Sequence, residues 1–284
     1  MPTCHICHSE KSHVYCEKNG YTLYQCDGCY FVFVHPIPMN LSAVYEEGYF
    51  HDVGGQEFGY SNYDSDKEPM RHIFEYYLDR FEVFSKNKTI LDVGCATGYF
   101  LDRAKERGWK TYGVEISEYA AKEASSRGHE VYVGELPKLS LTETVDIVTM
   151  WDVLEHVDSP RAYLETAYRL LNSDGYLAIN TVDISSVWAR LMQKRWHLIV
   201  PPEHIHYYTP DNLKMLLAQT GFKTIDVSKV GKKFSLPYFF MAGYRWQGFE
   251  FWKKCAIFFD TPLWRKVSIP VNFRDNIFLL AQKK

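Results

Sequence analysis

Thr89-Ile-Leu-Asp92-Val-Gly94-Cys-Ala-Thr-Gly98 decides how this chain is read. Its first half is a short apolar strand that ends in an acidic residue and a glycine. Gly94 and Gly98 let the backbone approach a ligand closely. The residues from Gly98 to Arg107 then carry a helical pattern. A strand that turns through glycines into a helix is the opening unit of a parallel α/β sheet. The alternation continues downstream. Strands are expected at Thr111–Ile116, Glu130–Gly134, Val145–Trp151 and Tyr176–Val182, with helices at Glu118–Arg127 and Pro160–Leu171. An Asn-Ser-Asp-Gly turn is expected before Tyr176. Helix Pro210–Thr220, strand Phe222–Val230 and a last strand Asn276–Gln282 complete the series. Upstream, Pro69–Phe84 has apolar residues at helical spacing. Such a sheet carries helices on both faces and binds ligands at the carboxyl ends of its strands.

The whole-chain numbers agree with a folded protein. Of 284 residues, 46% are hydrophobic and 24% charged, which excludes disorder throughout. A formal net charge of -3 argues against non-specific nucleic-acid binding, and no DNA partner is expected. The richest apolar run, Leu236–Tyr244, stops at Arg245, short of the ~18 residues a membrane span needs. Met1-Pro-Thr-Cys-His-Ile-Cys7 shows no charged head followed by an apolar run. No secretory signal is therefore expected, and the cytoplasm is the expected compartment. In that setting the seven cysteines read as metal ligands or buried thiols rather than disulfides.

Cys4 and Cys7 form one CxxC pair and Cys26 and Cys29 another, with eighteen residues between the pairs. Two cysteines three apart in a tight turn reach one ion, and two such turns complete a tetrahedral thiolate set. The segment between them reads as a hairpin around Asn19-Gly20. Residues 1–40 are therefore expected to be a zinc ribbon with a structural Zn2+ on Cys4, Cys7, Cys26 and Cys29. Cys16 is expected to be buried in a strand, and His5, His8 and His13 to be exposed. Residues 36–68 read as a connector, so that 41–85 comprises a connector and a helix before the main domain at 86–284.

Asp92-Val-Gly-Cys-Ala-Thr-Gly98, followed by Glu115 at the end of the second strand, resembles motif I of the class I S-adenosylmethionine-dependent methyltransferases. Ala96 replaces that motif's middle glycine. Three later landmarks resemble the same family: Asp146–Val157 its fourth strand and turn, Leu170–Gly175 its L-x-P-G-G without the proline, and Gly221-Phe222 the start of its sixth strand. The resemblance covers about residues 86–284. It implies an α/β, Rossmann-like seven-stranded methyltransferase sheet, here with an N-terminal zinc ribbon. It further implies that Glu115, with Ile116 beside it, holds the ribose hydroxyls of S-adenosylmethionine. Gly94 and Gly98 would line the methionine part, and Asp92 would orient the loop or meet the amino group. Gly134, Glu135 and Leu136 would flank the adenine, and Trp151 would close over the cofactor. Tyr63 and Arg71 would reach its carboxylate from the N-terminal side.

Methyl transfer requires an in-line nucleophile and, for a hydroxyl acceptor, removal of a proton. Asp152, Glu155 and His156 fall at i, i+3 and i+4, one face of a helical turn directly after the fourth strand. His204 and His206 point the same way if their segment is extended. Three readings stand: His156 or His204 as general base, a divalent ion at the acceptor site on Asp152, Glu155 and His156, or a structural role for that turn. The ion reading has support in the ubiquinone O-methylating enzymes, which carry a similar turn and use a metal there.

Between the sixth and seventh strands, residues 231–275 form an aromatic insertion. It reads as a helical cap with its own small core, or as a lid over the substrate. Its lysines and arginines also permit a membrane-surface or lipid-linked acceptor. A zinc ribbon joined to this domain resembles bacterial enzymes of polysaccharide and secondary-metabolite clusters. The expected activity is O-methylation of a small molecule, with a sugar, a sugar nucleotide or a lipid-linked metabolite as candidate acceptors. An RNA or protein methyltransferase and a non-catalytic zinc-ribbon adaptor are the alternatives.

Overall fold

The computed structural model describes residues 1–38, 67–265 and 267–284. The N-terminal ribbon is built from β1 (Ser12–Lys18), β2 (Tyr21–Cys26) and β3 (Val32–Val34). Asn19 and Gly20 join β1 to β2 with φ of 51° and 79°. Both are the left-handed values that a two-residue hairpin turn demands. Most of the expected connector, and Tyr63 with it, lies outside the described residues.

A short 3-10 turn, Glu68–Met70, leads into α1 (Arg71–Phe84), so the α-helix proper opens at Arg71 rather than Pro69. Then follow β4 (Thr89–Val93), α2 (Tyr99–Glu106), β5 (Lys110–Glu115), α3 (Glu118–Ser126), β6 (Glu130–Val133) and β7 (Val145–Trp151). Next come α4 (Pro160–Leu170), β8 (Leu171–Val182), α5 (Val187–Met192), the two-residue β9 (His206–Tyr207), α6 (Pro210–Gln219) and β10 (Phe222–Lys229). The insertion holds β11 (Lys232–Ser235), α7 (Leu236–Gln247), α8 (Glu250–Phe259), α9 (Pro262–Arg265) and β12 (Ser268–Val271), and β13 (Asn276–Lys283) ends the chain.

Seven strands form the central sheet in the order β10-β13-β8-β7-β4-β5-β6. The pairings among β4 to β8 are parallel, and β13 runs antiparallel to both its neighbours. From β4 the chain steps to β5 and β6 on one side and later returns to β7 and β8 on the other. A reversal of this kind marks the carboxyl ends of β4, β5 and β7 as the place where such sheets bind ligands. The expected turn before Tyr176 lies inside the span of β8: Val145 sits opposite Leu171 and Ile147 opposite Tyr176, so Asn172–Gly175 bulge out of register.

The ribbon is not an appendage. β9 pairs with β3, completing the sheet β1-β2-β3-β9 with two residues contributed from far along the chain. Phe31 and Phe33, both fully buried, join one apolar cluster with Leu154, Tyr208 and Leu213. Cys16 is buried in β1, as its pattern implied, and lies in a second cluster with Leu23, Val32, Trp196 and Tyr207. The insertion has its own core: Phe240 stacks on Phe259 at 5.3 Å, and Trp252 packs over Gly243, where an added Cβ would come within 3.1 Å of the indole.

Candidate active site

The glycine turn after β4 folds onto the end of β5. Gly94 N–H and Cys95 N–H donate to the carbonyl of Val114 at 2.8 and 3.2 Å. Gly94, Ala96 and Gly98 have φ of 69°, 49° and 89°. Two of these are cheap because glycine lacks a Cβ; Ala96 bears a cost of ~1 kcal/mol for the left-handed conformation. That twist points Ala96 N–H at Glu115 Oε2, 2.8 Å away, while Ser117 N–H donates to Oε1 at 2.9 Å. Burial pushes the Glu115 carboxyl up, and these main-chain N–H groups together with that of Ile116 oppose the shift. A carboxylate has about four acceptor positions, so a side chain that accepts from these main-chain N–H groups still has capacity for a ribose hydroxyl. The donor set therefore fits the ribose of the expected cofactor.

Around this carboxylate the expected cofactor residues gather. Gly134 N–H donates to the Glu115 carbonyl at 2.8 Å, which brings Gly134, Glu135 and the fully buried Leu136 to the same end of the sheet. Asp92 sits beneath the loop, 2% exposed, and accepts from Thr149 Oγ1 at 2.6 Å. Burial pushes its pKa up to about 8, with Thr149 opposing and Glu115 adding. Gly94 has a packing reason to be glycine, since a Cβ there would lie 2.7 Å from Val153 Cγ2.

Trp151 ends β7 beside this loop, and Arg71 opens α1. Trp151 packs against Phe74, Tyr77, Phe100 and Phe278 at centroid distances of 5.2, 5.5, 5.3 and 6.0 Å. Arg71 is half-exposed and lies 3.7 Å from both Glu68 and Glu75 on its own helical turn.

The polar turn after β7 meets the segment before β9. Asp152 has φ of 54°, donates its N–H to the Asn180 carbonyl at 2.9 Å, and accepts from Asn180 Nδ2 at 2.5 Å. Glu155 is fully buried: Oε2 accepts from Thr181 Oγ1 at 2.7 Å, and Oε1 has no partner among the described residues. Burial raises its carboxyl; His156 opposes this and Asp152 adds to it. His156 Nδ1 lies 2.7 Å from the Glu203 carbonyl, and His204 Nδ1 lies 2.9 Å from that of Leu198. A carbonyl only accepts, so in the neutral rings each Nδ1 carries the proton and each Nε2 the lone pair. The two rings meet edge to face at 4.7 Å. Ligand atoms of Glu155, His156 and His204 all lie within 4.8 Å of one another.

This grouping differs from the one expected from spacing. Asp152 belongs to Asn180, and His204 takes the third place. His206 leaves the cluster altogether. The strand begins only at His206, so alternation does not reach back to His204. The His206 ring is fully buried beside His5, Phe31 and Tyr208 at 5.7, 5.5 and 6.4 Å. Burial holds its pKa down to about 3. Asn180 and Thr181, which orient the two carboxylates, went unread. Their signal is a pair of polar residues inside the otherwise apolar run Leu177–Val182.

In the ribbon, Cys4, Cys7, Cys26 and Cys29 form a single cluster. Sγ atoms of Cys4 and Cys29 lie 3.5 Å apart and those of Cys7 and Cys26 3.4 Å. Tetrahedral thiolates around zinc would stand about 3.8 Å apart, close to this spacing. Main-chain N–H groups of Ile6 and Gly28 already donate to Cys4 and Cys26 sulfurs, as ligand thiolates require.

Comparison with known proteins points the same way. A family model described as a methyltransferase domain matches residues 65–227, more than half of the chain. A ubiquinone biosynthesis O-methyltransferase of Nitrosomonas europaea is 30% identical over 115 residues, covering 38% of this chain and 49% of the relative. One from a Ruegeria species is 27% identical over 150 residues, covering 48% and 61%. The chain thus spans only 49% and 61% of the length of these relatives. In fold it resembles the YcgJ protein of Bacillus subtilis, with a TM-score of 0.53 at 13% identity over 75% of this chain and 99% of that one. It also resembles the magnesium protoporphyrin IX methyltransferase of Synechocystis, solved with bound SAH, with a TM-score of 0.51 at 14% identity over 81% and 90%. No helix among the described residues is long and apolar enough to cross a membrane. The glycine turn on Glu115, the strand order of the sheet and the family match agree, and the chain belongs to the class I S-adenosylmethionine-dependent methyltransferases.

Proposed function

We propose that this protein transfers a methyl group from S-adenosylmethionine to a hydroxyl of a small-molecule acceptor, a sugar or related metabolite. The observation that carries the hydroxyl reading is the Glu155–His156–His204 cluster, with two imidazoles whose Nε2 atoms hold the lone pairs and a buried carboxylate oxygen with no described partner. The bound cofactor supplies an electrophilic methyl on a positive sulfur. Glu115 would hold its ribose and Gly94 and Gly98 would line its methionine part, with Gly134, Glu135 and Leu136 beside the base. Nε2 of His156 or His204 takes the acceptor proton, and the main-chain carbonyls on Nδ1 fix each ring for that task.

The same three side chains would hold a divalent ion, and such an ion would lower the pKa of the acceptor hydroxyl. The four ribbon cysteines would hold a structural Zn2+. The names of the relatives support an O-methylation, and the resemblance of a cysteine ribbon joined to this domain to enzymes of polysaccharide clusters supports a sugar-type acceptor. Incubation with isotopically labelled cofactor and a panel of sugars and sugar nucleotides, read by product mass, tests the assignment. Transfer to oxygen that falls by roughly a hundredfold in His156→Ala or His204→Ala, with cofactor binding intact, is the expected result. Transfer to nitrogen or carbon, or full activity in both variants, would overturn it.

A further inference from the structure

The insertion leaves one face unaccounted for. On α8 the inner residues Trp252, Ala256 and Phe259 turn toward α7, Trp252 and Phe259 packing on Phe240. The opposite face presents Phe251, Ile257 and Phe258 at 65%, 64% and 71% exposure. Phe249 at the start of α8 and Leu263 on α9 extend the patch at 63% and 71%. Large apolar side chains in such a group mark a contact surface rather than ordinary scatter.

Charge identifies what the surface would meet. Residues 231–275 contain eight Lys and Arg against three Asp and Glu, an excess of five positive charges in a chain whose net charge is -3. Lys253 and Lys254 are exposed on the same arc of α8, since Lys253 and Lys254 lie one turn before Ile257 and Phe258. A second copy of the chain docked through this patch would oppose like charges. Cations interleaved with exposed aromatics instead match an anionic bilayer surface, whose interface takes up both.

Position adds a reason. Trp246 at the end of α7 donates its indole N–H to the Arg195 carbonyl and lies 6.4 Å from Trp188 on α5. α5 follows the carboxyl end of β8, the end of the sheet that carries the candidate active site. Val187 and Leu191, one turn apart on α5, are 84% and 71% exposed.

We infer that the α7–α8 hairpin is a peripheral membrane-docking surface for anionic lipids, which brings the active-site end of the sheet to the bilayer. The full chain is mixed with vesicles of phosphatidylcholine alone or blended with phosphatidylglycerol, and binding is read by co-sedimentation across salt concentrations. Binding to the blended vesicles, weakened by salt, is expected, with little binding to the neutral ones. The Lys253→Glu/Lys254→Glu protein binds roughly tenfold more weakly or worse. Phe251→Ser/Phe258→Ser loses binding, and both variants keep wild-type cofactor affinity by calorimetry, which shows that they are folded. Absence of binding to anionic vesicles overturns the inference. So does a concentration-dependent dimer that Phe251→Ser/Phe258→Ser abolishes, because the face would then belong to a second copy.

Discussion

The main-chain carbonyl of Glu155 accepts the N–H of Ile205 at 2.9 Å, and also that of His206 at 3.1 Å. The Ile205 carbonyl in turn accepts from Val34 N–H of the ribbon at 2.9 Å. The ribbon, the segment carrying His204 and the turn carrying Glu155 and His156 are thus joined by consecutive main-chain hydrogen bonds. Asn212 adds a further tie, its Nδ2 donating to the Cys29 carbonyl at 3.4 Å, and Asn19 Nδ2 holds the Pro201 carbonyl at 2.9 Å.

Withdrawing the proposed Zn2+ from the cysteine ribbon is therefore expected to disturb the proposed acceptor side, although no ribbon cysteine belongs to the Glu155–His156–His204 cluster. A chelator strong enough to strip the thiolates is expected to lower methyl transfer by about tenfold or more, because reacting groups tolerate little misplacement. Cofactor affinity is expected to stay unchanged, since none of these main-chain bonds involves Glu115 or the glycine turn. Hydrogen exchange should quicken at Ile205 and His206, and re-addition of Zn2+ should restore both readings. Full transfer by stripped protein would show the ribbon to be dispensable for the site.

Asp92 makes stability depend on pH. Its carboxyl is buried, and its pKa is pushed up to about 8, above that of an unfolded aspartate. Between the two values the folded chain keeps a proton that the unfolded chain has released. Stability should fall as pH rises through that window, by up to about 1.4 kcal/mol per pH unit, and level off above it. Asp92→Asn removes this contribution, so urea unfolding should show the variant gaining on the wild type from mildly acidic to mildly alkaline pH. Parallel pH profiles for the two proteins would mean that Asp92 stays ionised in the fold.

Gly94→Ala tests why that position is glycine. The substitution forces an L side chain into φ of 69° and sets a Cβ 2.7 Å from Val153 Cγ2. Left-handed strain and overpacking together should cost about 2–4 kcal/mol in chemical unfolding. Val153→Ala relieves the second part only, so the double mutant should show a coupling of about 1 kcal/mol or more. Additive effects would place the whole cost in the backbone.

What could be read in the sequence was what short spacing encodes. Gly94, Gly98 and Glu115 announce themselves because a glycine turn and the end of the next strand are separated by one helix. The cysteine ribbon is legible for the same reason. The pairing of β3 with β9 has no such mark: β9 is two residues long, and its partner is more than 170 positions away. Spacing alone sets His204 beside His206 and Asp152 beside Glu155 and His156, whereas the fold brings His204 against His156 and bonds Asp152 to Asn180. Local periodicity fixes which face a residue takes within its own element. It says nothing of which loops the sheet order brings together.

Glu155 is where stability and function should be seen to part. Its side chain is fully buried, with Thr181 donating to Oε2 and no described partner at Oε1, so its desolvated charge burdens the fold. Its pKa is raised by burial, which means its stability cost grows as pH rises through the carboxylate range and is absent at lower pH. Glu155→Gln keeps the shape, lets an amide oxygen accept from Thr181, and removes the charge. At neutral pH without added metal it should unfold about 1 kcal/mol harder than the wild type, a gain that fades on acidification. Glu155→Ala instead leaves Thr181 unpaired beside a cavity and should cost about 2–3 kcal/mol. If the carboxylate serves the acceptor hydroxyl or an ion beside His156 and His204, the more stable glutamine protein should also be the poorer enzyme, by about tenfold to a hundredfold. A glutamine variant with full transfer would reduce Glu155 to a strap whose carbonyl holds Ile205 and whose side chain does no chemistry.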